Sequence, residues 1–81
     1  MTISELSALL PGNIVLTPAQ ADVDNISYHF WFSNIHIGTI DTDATDDITA
    51  INIDSQYKSQ IENNAEVKNV LNKNNLKINY V

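Results

Sequence analysis

Hydrophobic residues recur at helical spacing at the start of the chain. These residues are Ile3, Leu6, Leu9 and Leu10. Thr2 and Glu5 have the spacing of a capping box, in which each residue satisfies a backbone N–H at the start of a helix. Pro11-Gly12 follows the pattern and is a typical helix end. The opening therefore predicts a short helix with one apolar face.

The strongest pattern is an alternation of apolar and other residues from Ile26 to Ile40. One stripe consists of Ile26, Tyr28, Phe30 and Phe32, and the opposite stripe of Ser27, His29, Trp31 and Ser33. A two-residue turn at Ser33-Asn34 would place Phe32 opposite Ile35, Trp31 opposite His36 and Phe30 opposite Ile37, which keeps both stripes intact. The pattern predicts a β-hairpin, although Ser-Asn is not the preferred turn pair and a longer loop stays open.

The remaining apolar runs predict three further strands and a helical region. Residues 13–17 form a short strand candidate that Pro18 ends, and residues 19–24 are either a connection or an irregular edge. Residues 48–53 form a longer strand in which Thr49, Ile51 and Ile53 share a side. A helix is expected from Asp54 or Ser55 to about Lys73, either continuous or broken at Asn63-Asn64 with Asn64 as a cap. Alternation over 76–81 predicts a terminal strand.

This order of elements predicts one α+β domain over residues 1–81. We expect two layers: an antiparallel or mixed sheet of four to five short strands, a short N-terminal helix, and a longer helix before the last strand. From its mass of 9.0 kDa a folded chain should expose roughly 4,900 Å², which allows one core.

Charge is concentrated in the first two thirds of the chain. The net charge is −6, and residues 1–54 carry eight carboxylates and no lysine or arginine, whereas residues 55–81 hold all four lysines and two glutamates. Such a field repels nucleic acid and anionic membranes and attracts basic partners. No window approaches the ~20 apolar residues of a membrane span, and no signal-peptide pattern opens the chain, so a cytoplasmic location is expected.

Catalytic and cofactor motifs are missing from the sequence. There is no cysteine, and Gly12 and Gly38 are the only glycines, too few for a phosphate-binding loop. No serine lies in a nucleophile-elbow pattern, and no carboxylate pair is marked as a catalytic pair. We therefore expect a non-enzyme without cofactors.

The acidic segment 41–47 has three interpretations. Asp41, Asp43 and Thr45 match the start of a calcium loop, but Asp46 replaces the required glycine and Asn52 the final glutamate. The carboxylates could instead mimic the charge of nucleic acid, since Asp41 and Asp43, or Asp22 and Asp24, would stand ~6.8 Å apart on one face of a strand. A solvated loop that protects the sheet edge is the third interpretation.

Trp31, His29 and His36 would share one face of the hairpin. If that face is open to solvent, they form a candidate binding hot spot. We expect instead that a helix covers Trp31, with the two helices on opposite faces of the sheet, because the chain has few other large side chains to fill its core. Two histidines without a local third ligand are weak evidence for zinc, so no metal is expected.

These observations predict a small acidic binding or inhibitor protein that occupies a basic surface of a partner protein, such as a nucleic-acid-binding enzyme. A phage or mobile-element inhibitor, a DNA mimic or an immunity protein would fit this description. The predicted contact residues are Asp22, Asp24, Tyr28, Trp31, Asp41, Asp43, Asp46 and Asp47. The alternative is a structural or assembly subunit that self-associates, for example as a homodimer, through apolar surface, and a calcium-binding module is a weaker third.

Overall fold

Alternating apolar and polar residues build a five-stranded mixed sheet that carries helices. The computed structural model of the chain describes residues 1–21 and 26–81. Its elements are α1 (Ile3–Leu9), β1 (Ile14–Ala21), β2 (Ile26–Phe32), β3 (Ile35–Thr42), β4 (Ile48–Ile53), a 3₁₀ turn (Ser55–Tyr57), α2 (Lys58–Glu62), α3 (Ala65–Lys73) and β5 (Ile78–Tyr80). The strands lie in the order β1-β2-β3-β4-β5, and only the β4–β5 pair is parallel. The predicted α+β class is confirmed.

The β2–β3 hairpin turns at two residues with left-handed backbone. Ser33 and Asn34 have φ angles of 48° and 68°. Positive φ at both central positions is typical of a type I′ turn, whose twist matches that of the flanking strands. Phe32 lies opposite Ile35 and Trp31 opposite His36. The predicted turn and the start of the register are confirmed.

A bulge then changes the register of the hairpin. Phe30 lies opposite Gly38, not opposite Ile37 as the simple alternation predicted, because Ile37 is an extra residue in β3. Ile37 is 2% exposed and belongs to the core. The bulge lets Ile37 and Ile40, which simple alternation would place on opposite faces, both lie in the core.

One apolar cluster holds the helices against a single face of the sheet. Its members are Ile3, Leu6, Leu10, Ile14, Phe30, Ile37, Ile40, Ile51, Ile53, Ile61, Val67 and Leu71. The buried residues of α1, α2 and α3 all belong to this cluster, so the described helices cover the same face. The prediction of helices on opposite faces was wrong. The total accessible surface, 4869 Å², agrees with the size expected of a folded 9.0 kDa chain.

Two apolar-face predictions were wrong in detail. Leu9 is 52% exposed, because the buried face of the short α1 narrows to Ile3 and Leu6, with Leu10 just beyond it. In β4 a register shift opposite Asp41 and Thr42 leaves Thr49 exposed and turns Ile48 toward the core.

The helical region before β5 is broken, as one of the two predicted alternatives proposed. α2 ends at Glu62, and the Asn64 side chain accepts a hydrogen bond of 3.1 Å from the backbone N–H of Val67 at the start of α3. The alternative of one continuous helix was wrong, because Asn64 has an extended backbone and caps a new helix. None of the described helices is long and apolar enough to cross a membrane.

Strand β1 extends beyond its predicted end. Pro18 pairs with Tyr28, and after a register shift between Pro18 and Gln20 the strand continues to Ala21. Proline is tolerated because β1 is at the edge of the sheet and needs no partner on its other side. Of the two alternatives for residues 19–24, the irregular edge is confirmed for residues 19–21, and residues 22–25 lie outside the described part.

Candidate partner-binding surface

The face of the sheet opposite the helices, here called the outer face, carries the predicted aromatic cluster. Its described residues are Val15, Thr17, Ser27, His29, Trp31, His36, Thr39, Asp41, Ala50, Asn52 and Asn79. Because all described helices pack on the other side, no described helix covers these side chains. The expectation that a helix buries Trp31 was wrong.

Trp31 is half-buried among outer-face neighbours and held in one orientation. Its indole N–H donates a hydrogen bond of 2.8 Å to the Thr17 hydroxyl on β1. The ring centres of His29 and His36 lie 5.9 Å and 5.2 Å from that of Trp31, both edge to face. Such geometry is favourable for aromatic pairs. The predicted sharing of one face by these three rings is confirmed.

The two histidines also contact each other. His29 Nδ1 lies 2.8 Å from His36 Nε2, and the ring planes are 79° apart. His36 is exposed and His29 half-buried. The cluster is thus a rigid aromatic surface with polar atoms that solvent can reach.

Polar side chains extend this surface across β3, β4 and β5. Asp41 accepts a hydrogen bond of 3.1 Å from the Asn52 amide, and Asn52 accepts one of 3.4 Å from Asn79. Asp41 is half-buried and lies opposite Ser27, two residues along β2 from His29, so its hydrogen-bonded carboxylate is held on the outer face.

The acidic turn after β3 uses its carboxylates to hold its own shape. Asp43 Oδ1 accepts hydrogen bonds from the backbone N–H and hydroxyl of Thr45 and from the backbone N–H of Asp47. The Thr45 hydroxyl and then its N–H hold the pKa of Asp43 below its usual value, since both favour the charged form. The backbone of Asp46 is left-handed, with φ 65°. Asp43 is therefore first of all a structural residue of the turn.

The turn also connects to the start of the chain. The Asp46 carbonyl accepts from the Ile3 N–H at 3.0 Å, and the Met1 amino group lies 3.8 Å from an Asp47 carboxylate oxygen. The Asp46 and Asp47 side chains are exposed.

The predicted contact residues fall into separate groups. Trp31 and Asp41 share the outer face, where Asp41 is opposite Ser27, whereas Tyr28 lies on the covered face and packs against the core. Asp22 and Asp24 lie outside the described residues. The predicted pair of evenly spaced strand carboxylates at Asp41 and Asp43 is not found, because β3 ends at Thr42 and Asp43 turns into the loop.

Several outer-face residues were missed by the sequence reasoning. Thr17, which orients Trp31, and the amides of Asn52 and Asn79 were not recognised as parts of the surface. Alternation along β1, β4 and β5 places these three side chains on the outer face. Which strands are neighbours depends on the strand order. Within residues 1–21 and 26–81 no group of three or more His, Asp or Glu side chains is arranged to hold a metal ion.

The chain was compared with protein-family models, with curated proteins and with solved structures, and no match was found in any of the three comparisons.

Proposed function

We propose that this protein is a non-catalytic binding or inhibitor protein whose outer face, centred on Trp31 and Asp41, docks on a positively charged surface of a partner protein. The observation that carries the proposal is a hydrogen-bonded Trp31 that no described helix covers, on the same face as the hydrogen-bonded Asp41 carboxylate, on strands that carry no lysine or arginine. A nucleic-acid-binding enzyme would present a suitable basic surface. We place this activity in the cytoplasm, as the sequence predicts.

Charge separation supports a basic partner. The segment that forms β1 to β4, residues 14–53, contains no lysine or arginine. Of the four lysines, Lys68 pairs with Glu62 at 2.9 Å, and Lys58 lies 5.3 Å from the centre of the Tyr80 ring. These two lysines interact within the helical layer, and strands β1 to β4, which form most of the outer face, carry no lysine or arginine to repel a cationic surface.

The aromatic cluster supports docking rather than charge attraction alone. Tryptophan supplies a large apolar contact with little loss of side-chain freedom, and it is enriched at binding hot spots. The hydrogen bond to Thr17 already fixes the ring, so a partner need not order it on binding. Val15, 47% exposed on the neighbouring strand, extends the apolar contact area.

The test is affinity capture with matched variants as bait. Wild type, Trp31→Ala, Asp41→Asn and Glu66→Gln proteins are immobilised, and captured proteins are quantified at about 0.1 M and about 1 M salt, where the Debye lengths are about 10 Å and 3 Å. Asp41→Asn and Glu66→Gln each remove one charge, but Glu66 lies in the first turn of α3, in the helical layer.

We expect one captured protein that is lost at high salt, lost with Trp31→Ala and reduced with Asp41→Asn but not with Glu66→Gln. Capture that ignores salt, or that falls equally with both charge variants, would exclude the proposal.

Self-association is the second candidate, favoured by the exposure of Val15 next to Trp31 on the outer face. Light scattering across a concentration series separates the two. A dimer that persists at high salt and is lost with Val15→Ser favours assembly, and a strict monomer at high concentration removes it.

A further inference from the structure

We propose that His29 and His36 form a two-nitrogen site on the outer face for a divalent transition metal, with Cu²⁺ as the strongest binder. His29 Nδ1 and His36 Nε2 lie 2.8 Å apart in a hydrogen bond, with the rings nearly perpendicular. In this contact the two nitrogens face each other, and a rotation of the rings would aim both at one metal ion.

The fold fixes this contact. His29 pairs with Thr39 and His36 with Trp31, so the histidines lie on adjacent strands and are offset along them. Alternation along β2 and β3 places both on the outer face, and the Trp31 ring packs against both imidazoles. Ligands held on rigid strands lose little freedom when a metal binds.

The spacing of the nitrogens is compatible with a shared metal ion. Two nitrogens bound at about 2.0 Å and at right angles lie about 2.8 Å apart, and the hydrogen-bonded pair already has this spacing. Imidazole nitrogens bind Cu²⁺, Ni²⁺ and Zn²⁺, and Cu²⁺ heads the affinity series of the divalent metals.

Binding requires a change of tautomer but no net loss of protons from the neutral pair. Each neutral imidazole carries one N–H, and in the metal-free contact one of the two facing nitrogens donates it to the other. For both facing nitrogens to bind a metal, that proton moves to the far nitrogen of its own ring. Since His36 is exposed, its ring and the metal position can be reached from solvent.

The described residues supply only these two ligands, because no third His, Asp or Glu in residues 1–21 and 26–81 completes a cluster. Water or a donor atom from a second molecule fills the other positions. This inference is independent of the proposed function, because the metal ligands are the two imidazoles and not the Asp41 carboxylate.

Trp31, the only tryptophan, reports on the site because its ring centre lies 5.2 Å and 5.9 Å from those of the two imidazoles. Cu²⁺, Ni²⁺ and Zn²⁺ salts are titrated separately into the full chain, and Trp31 emission is recorded. The expected result is quenching by Cu²⁺ that saturates at one equivalent and is reversed by EDTA, with two-nitrogen coupling in the Cu²⁺ EPR spectrum.

Variants separate this site from other copper donors. His29→Gln and His36→Gln should each weaken Cu²⁺ binding by at least about tenfold, since even outer-shell changes cost that much. Asp47→Asn, beside the Met1 amino group, is the matched control and should bind Cu²⁺ as wild type does. Circular dichroism melts check that each variant is folded.

Equal Cu²⁺ affinity in wild type and both histidine variants would overturn the proposal and leave the pair as a hydrogen bond only. Zn²⁺ affinity as high as that for Cu²⁺ would overturn Cu²⁺ as the strongest binder.

Discussion

Replacing Gly38 by alanine is expected to destabilise the fold severely, because β4 approaches this glycine closely. A Cβ at Gly38 would lie 2.9 Å from Ile53 Cα, 3.0 Å from the Asn52 carbonyl carbon and closer still to the Asn52 carbonyl oxygen. Ordinary contacts of a Cβ begin at 3.4 Å. All three atoms belong to the backbone, so no side-chain rotation relieves the clash, and β3 and β4 must move apart.

The size of the effect follows from what the separation breaks. Overpacking costs about 1–3 kcal/mol and occasionally more, and each weakened hydrogen bond adds about 0.5–1.5 kcal/mol. We expect a loss of about 3 kcal/mol or more. A chain of this length typically has about 4–12 kcal/mol of total stability, so the loss is a large part of it.

Urea unfolding, followed by Trp31 fluorescence and circular dichroism, measures the loss as a lower midpoint. Gly12→Ala is the matched control: nothing lies within 4 Å of its added Cβ, and no glycine of the described chain has a positive φ. It should stay within about 0.5 kcal/mol of wild type. A Gly38→Ala protein equally close to wild type would refute the close approach of β3 and β4.

Three further predictions follow from single contacts. Asn64→Ala removes the cap of α3 and should lower the free energy of unfolding in urea by about 1 kcal/mol. Asn69→Ala, at an exposed position of the same helix, is the control and should not lower it. Equal losses in the two variants would contradict the capping role. Leu6→Ala opens a cavity at a residue that is 0% exposed and should cost about 2–5 kcal/mol, and a loss below 1 kcal/mol would show that α1 does not pack as described. Burial, and then the Glu62 carboxylate that accepts its hydrogen bond at 2.9 Å, raise the pKa of Tyr80 to about 12. Because the neutral phenol is favoured in the folded state, the stability it contributes is complete below pH ~10 and is lost between about pH 10 and 12. In an absorbance titration at 295 nm, Tyr80→Phe identifies the Tyr80 signal, and Glu62→Gln should lower the pKa of Tyr80. A Glu62→Gln protein whose Tyr80 titrates as in wild type would contradict this.

Local patterns predicted most of the elements, because each depends on few residues. The capping box of Thr2 and Glu5, the turn at Ser33-Asn34 and the strand at residues 48–53 depend on neighbours in sequence. The presence of Trp31, His29 and His36 on one face follows from the same alternation.

The sequence does not show which face of the sheet the helices cover, nor where the strands have bulges. Both faces of β2 carry large side chains that a helix could cover. Which face is covered is decided only when the apolar faces of all the helices pack on the sheet together. The extra residue at Ile37 depends on the approach of β4 to Gly38, which is a tertiary contact. The inward turn of the Asp43 carboxylate likewise depends on the path of the loop.

The parallel pairing of β5 has a consequence for the order in which the chain folds. Strands β1 to β4 each pair with a neighbour along the chain, but β5 reaches β4 only after the crossover of residues 54–77. The Val81 N–H donates to the Ile53 carbonyl and the Ser55 N–H to the Val81 carbonyl, so the last residue closes the sheet. Until then β4 presents an unpaired edge that another chain can occupy, and aggregation during refolding should start there.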